Sequence, residues 1–136
     1  HGVLSWLSPS HGWGKMAGMP PRRRIRVADG AAALESWREG ADLSPEVMAL
    51  AVRFTLEELA HRHPGRSVEV RVPPFGATQC IAGPVHRRGT PANVVEAPPT
   101  TWLALVTGTL TWAQAVESGM LRWSGSRSDL SDYVPL

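Results

Sequence analysis

The stretch HRRGTP, residues 86–91, holds the side chains best suited to recognising an anion. Arg87 and Arg88 offer planar, bidentate donors, and Thr90 adds a hydroxyl. Gly89 lets its amide come close to a ligand, and Pro91 stiffens the exit. A carboxylate or phosphate fits such a loop. The plainer alternative is an inter-strand turn whose arginines pair with surface acids such as Glu69 or Glu96.

Apolar chemistry is concentrated further on, in TWLALVTGTLTWAQAVESGMLRWSG, residues 101–125. Three of the six tryptophans lie there, beside only two charged residues, Glu117 and Arg122. Trp102, Leu105, Val106, Trp112, Met120 and Trp123 are the candidate wall of a greasy pocket between a sheet and the last helices. A pocket with many apolar and few polar groups holds an acyl chain or sterol without covalent chemistry. The same side chains also serve as ordinary core, since a small domain needs most of its large apolar residues to build one.

No catalytic pattern competes with these two. Cys80 has no CxxC partner and sits in a strand-like stretch, which suits a buried apolar residue. Glu57 and Glu58 are adjacent on a helix, point to different sides, and make no acid/base pair. His61 and His63 are two apart and share no helix face, so even with His86 they make a poor metal site. No nucleophile triad, phosphate loop or dinucleotide fingerprint occurs. Neither catalytic residues, a metal nor a cofactor is expected, and the chain reads as a non-enzyme.

Charge is unevenly placed. Residues 1–28 carry Lys15, Arg22, Arg23, Arg24 and Arg26 with no acid, a net +5, whereas the rest sets nine arginines against twelve acids. The basicity thus belongs to a terminal segment. PPRRRIR suits phosphate contacts, but no helix-turn-helix or aromatic–basic interleaving accompanies it, so no specific nucleic-acid partner is expected. Residues 1–28 read as a flexible basic extension and 29–136 as the domain. No run is long enough for a transmembrane segment, the opening residues do not read as a secretory signal, and a lone cysteine forms no internal disulfide. These features point to a cytoplasmic protein.

Positioning of the candidates follows from the periodicities. A helix is expected from Asp29, as cap, to Gly40, with Leu34 and Trp37 on one face. Ser44-Pro45 starts a second helix that His63-Pro64-Gly65 stops. Its apolar arc is wide, with Val47, Leu50, Ala51 and Phe54 beside Met48, Val52, Leu56 and Leu59, as in a helix packed across a sheet. Ser67 to Val72 alternates strictly, with three valines inward and three polar residues outward. Ala77–Ala82 and Asn93–Glu96 read as further strands. Thr100 or Thr101 should cap a helix closing at Gly108. Thr111-Trp112-Ala113-Gln114 is a capping box for another closing at Gly119, and a short strand ends near Ser124. With antiparallel connections, this order gives an α+β fold: a small mixed or antiparallel sheet of about four to five strands with helices packed on one face.

The run NVVEAPPTTWLALVTGTLTWAQAVESGMLRWSGSRSDLSDYVPL, residues 93–136, resembles the end of the sterol carrier protein domain. The features shared are Trp102, Leu105, Gly108, Gly119, Leu121 and Gly125. VEVRVPPFGATQCIAGPVHRRGTPANVVE, residues 68–96, is similar to the C-terminal half of the bacterial mycothiol-dependent maleylpyruvate isomerases and to small stand-alone sterol-carrier-like proteins. The isomerases also carry a metal-holding four-helix domain with no counterpart in these residues, and the first two strands are shorter and more proline-broken than in eukaryotic lipid carriers. The resemblance implies a carrier for a lipid or small apolar acid. An accessory role beside an isomerase-type enzyme partner, with the HRRGTP loop on an anionic substrate, is the alternative; a ligand-free interaction protein is another.

Overall fold

The computed structural model describes residues 22–84 and 93–136. Its elements run α1 (Val27–Arg38), α2 (Pro45–Arg62), β1 (Val68–Val72), β2 (Gly76–Cys80), β3 (Asn93–Glu96), α3 (Pro99–Thr107), α4 (Trp112–Ser118) and β4 (Arg122–Ser124). This is the expected α+β architecture, with four strands in one open mixed sheet ordered β2-β1-β3-β4.

Local rules fix several boundaries. Ser44 caps α2, its hydroxyl accepting from the Val47 amide at 3.2 Å, and Pro45 takes the first helical position. In α4 the capping box closes both ways: the Gln114 amide donates to Thr111 Oγ1 at 3.0 Å, and the Thr111 amide donates to Gln114 Oε1 at 2.9 Å. Gly108 and Gly119 end α3 and α4 in the left-handed conformation, with φ of 86° and 76°.

Two starts differ from expectation. The first helix begins at Val27, not Asp29; Arg26 is its N-cap, and Asp29 sits inside the first turn, 3.9 Å from the Arg26 guanidinium. Helix α3 starts at Pro99 with Pro98 as N-cap, so neither Thr100 nor Thr101 caps it. Two prolines begin a helix as readily as they end a strand, because the missing N–H belongs to a turn with no partner for it.

In the sheet, β1 pairs with β2 as an antiparallel hairpin, from Val68↔Cys80 to Val72↔Gly76. The β1–β3 pair is parallel, Val68↔Asn93 to Arg71↔Glu96, which makes the sheet mixed, one of the two forms expected, although the sequence predicts antiparallel connections. The register explains it: β2 ends, and β3 begins, at the Val68 end of β1. Strand β4 then pairs antiparallel with β3.

Side-chain alternation sorts the two faces. Val68, Val70, Val72 and Val95 are fully buried under the helices, and α2 lays Ala51, Val52, Leu56 and Leu59 against them. The other face carries Glu69, Gln79 and the cross-strand row Arg71, Glu96, Arg122, whose charges alternate in sign across three strands. Ser67 departs from the alternation. Expected to face solvent, it is fully buried, with Oγ donating to the Ile81 carbonyl at 2.8 Å and its own carbonyl accepting from Asn93 Nδ2 at 2.9 Å. Asn93 Oδ1 in turn accepts from the Arg127 amide at 2.9 Å, tying the C-terminal segment to the start of β1.

The folded body starts upstream of the boundary drawn at residue 28. Residues 22–26 form an arm along α2, and Val27 and Ala28 belong to the first turn of α1. Among the described residues, no helix is long and apolar enough to cross a membrane.

Candidate functional site

The six residues proposed as an apolar wall fall into three environments. Trp102, Leu105 and Val106 are buried in the core, 0–1% exposed. Trp112 is half-buried against that core. Met120 and Trp123 are exposed, at 48% and 50%. Trp123 pairs with Val95 and so lies on the helix-bearing side of β4, at an edge where the helices leave it half uncovered. Met120 borders a shallow groove of about 350 Å³ with Pro73, Glu96, Ala97, Pro98, Pro99 and Arg122. The six therefore do not converge on one pocket.

Trp102 shows why. Its indole Nε1 donates to Thr55 Oγ1 on α2 at 2.9 Å, while that hydroxyl donates to the carbonyls of Ala51 and Val52. A buried indole needs an acceptor, and Thr55 supplies it inside the core. The residue packs α3 onto α2 as part of the buried core.

The anion-loop candidates Arg87, Arg88, Gly89 and Thr90 lie outside the described residues. Of the surface acids proposed as their partners, Glu69 is paired with Arg71 on its own strand at 3.2 Å.

A concavity larger than the Met120 groove lies elsewhere. It encloses about 770 Å³ between the arm, α2 and the β1–β2 hairpin. Ile25, Leu56, Phe75 and Ala77 give it apolar surface; Arg22, Arg23, Arg24 and Arg53 surround it with guanidinium groups. Gly76 faces α2, where a Cβ would make ordinary van der Waals contact with Leu56 Cδ1 at 3.4 Å. Arg53 bridges the two elements by donating from Nε to the Phe75 carbonyl at 2.7 Å.

The arm is held by the two adjacent carboxylates of α2. Glu57 accepts the main-chain amides of Arg24 and Ile25 at 2.9 and 3.1 Å. Glu58 pairs with Arg23 and with Arg62, the latter at 3.0 Å. Adjacent positions do diverge by about 100° around a helix, as expected, but both sides meet the same arm. By sequence alone these arginines belong to a solvated terminal segment. The signal that could have found them was electrostatic: a +5 segment beside a net-acidic body whose helix shows Glu57-Glu58.

Two titratable groups among the described residues are shifted by burial. Cys80 is fully buried, and burial pushes its thiol up to about 12, so it stays protonated at neutral pH. His63 is held below its usual value by burial and then by the neighbouring Arg62, and its ring meets Tyr133 edge-on at 4.7 Å. No group of three or more His, Cys, Asp or Glu side chains among the described residues is placed to hold a metal.

Comparison with known proteins accords with this architecture. Residues 44–136, from the N-cap of α2 to the C-terminus, match the family described as bacterial SCP ortholog. A search of curated proteins finds no match. The match takes in the whole sheet, α2, α3 and α4 and leaves the arm and α1 outside it. Over more than half of its length, then, the chain carries the sterol-carrier-type domain, and it belongs to the family of bacterial SCP orthologs.

Proposed function

We propose that the protein is a non-enzymatic binding module for a lipid or other apolar acid, seated in the cleft between the arm, α2 and the β1–β2 hairpin. Family membership supports the carrier class. The observation that carries the choice of seat is the pairing of apolar Ile25, Leu56 and Phe75 with arginines around one 770 Å³ concavity. An amphipathic acid has the same two halves. Its chain lies on the apolar side chains, and its head group meets the guanidinium groups. The burial of Trp102, Leu105 and Val106 supports this seat over the space between sheet and C-terminal helices.

Native mass spectrometry of the freshly purified protein, followed by organic extraction, tests the reading. A stoichiometric co-purified acid supports it. So does saturable uptake of a fluorescent fatty acid that weakens by roughly tenfold in Phe75→Ala, in line with the loss of a large apolar contact. An empty protein that takes up no probe would overturn it. That result would favour a ligand-free interaction module, the reading for which the filled core speaks.

A further inference from the structure

We infer that the arm turns this cleft into a site for a phosphate-type head group: Arg22 and Arg24, with Arg53 opposite, bind a multiply charged anion that a simple carboxylate matches poorly. This rests on the carrier reading of the same cleft and names the class of head group.

The argument begins with what each charge is already engaged in. Four arginines and one glutamate line the cleft. Glu57 is occupied by two main-chain amides, and Glu58, just outside the lining, is shared between Arg23 and Arg62. Arg23 is therefore the arginine that anchors the arm. Arg22 and Arg24 flank it in the sequence and are exposed, and among the described residues neither forms a salt bridge. Arg53 uses Nε on the Phe75 carbonyl, which leaves its terminal nitrogens to a ligand.

Main-chain amides are neutral donors and do not cancel the Glu57 charge, so Arg22, Arg24 and Arg53 leave a surplus of two positive charges around the concavity. One arginine suffices for a monocarboxylate in bidentate geometry, whereas a phosphate monoester carries up to two charges and several acceptor oxygens. The number of available cations thus fits a phosphate better than a carboxylate. The arm that supplies Arg22 and Arg24 also lies outside the family match at 44–136, so this feature is added to the shared domain. A lipid phosphate and a free phosphate present the same oxygens, and the test separates them.

The full chain is titrated by calorimetry, at fixed ionic strength, with dodecyl phosphate, dodecanoate, dodecanol and inorganic phosphate. Dodecyl phosphate is expected to bind at least about tenfold more tightly than dodecanoate, and Arg22→Ala/Arg24→Ala to lose about tenfold or more for dodecyl phosphate. Dodecanol binding should not change in that variant, which also shows that the cleft has survived. Inorganic phosphate binding as tightly as dodecyl phosphate, and lost in the same variant, would uphold the phosphate site while removing the apolar-carrier reading. If dodecyl phosphate, dodecanoate and dodecanol bind alike and the arginine variant matches the parent, the carrier reading stands and the phosphate assignment falls.

Discussion

Trp102 and Thr55 meet inside the core, indole nitrogen to hydroxyl oxygen at 2.9 Å, and this hydrogen bond links α3 to α2 with no solvent access at either residue. Thr55→Val removes the acceptor and strands the indole N–H. It should cost about 1–3 kcal/mol, the desolvation penalty of an unpaired buried donor. Trp102→Phe removes the donor and leaves a smaller ring in the space. The double variant should be less destabilised than the two single losses together, because the stranded group no longer exists. Urea unfolding of the four proteins checks this; strict additivity would mean that the bond contributes nothing.

Gly30 marks the closest approach of α1 to α2. A Cβ at that position would lie 2.2–2.6 Å from the Cβ, Cγ and Cδ1 atoms of Phe54, atoms too near the backbone of α2 to swing away. Gly30→Ala should therefore destabilise by about 1–3 kcal/mol despite alanine's better helix propensity. In a Phe54→Ala background, which lacks Cγ and Cδ1, the same substitution should cost less. Thermal melts decide: a Gly30→Ala protein as stable as the parent would show that the helices can separate freely.

The Cys80 thiol, with its pKa pushed up to about 12 by burial, should resist iodoacetamide at pH 8 in the native protein and react at once in denaturant. Mass spectrometry of the alkylated product reads this directly. Rapid labelling under native conditions would contradict the packing of β2 against the core.

His63 gives stability a pH dependence. Its folded-state pKa lies below the unfolded value of 6.5, owing first to burial and then to Arg62. The unfolded chain therefore binds the proton more readily. The contribution is complete above pH 6.5 and fades as pH falls through the depressed folded value. Denaturant midpoints between pH 7.5 and 5 should decline, and His63→Gln should flatten part of that decline. A midpoint difference between the two proteins that does not change with pH would remove His63 as the cause.

Much of the scaffold was legible because its causes are local. Ser44, the Thr111–Gln114 box, Gly108, Gly119 and the valine alternation of β1 each act within a few residues, so their types and spacing suffice. What was not legible depends on neighbours distant in sequence. Ser67 is buried because Ile81 and Asn93 come to it, and the parallel β1–β3 pair follows from which end of the sheet the chain re-enters. Trp102 and Trp123 are the same residue type in the same apolar run. One is fully buried and the other half exposed, because helices cover one and stop short of the other. The cleft escaped notice for a similar reason. Its apolar half comes from α2 and the hairpin and its charged half from a segment that periodicity assigned to no element.

Glu57 grips the arm through its peptide groups, not through its side chains. A main-chain grip is indifferent to which side chains ride on positions 24 and 25, provided proline does not remove a donor. Arg24 can thus be exchanged without loosening the attachment, while Arg23 cannot, since Glu58 holds it by its guanidinium. The arm is in effect a docked cartridge: its anchor and its recognition surface are written in different atoms. Redesigning the chain for another head group would begin at positions 22 and 24, leaving the sheet and its core as they are.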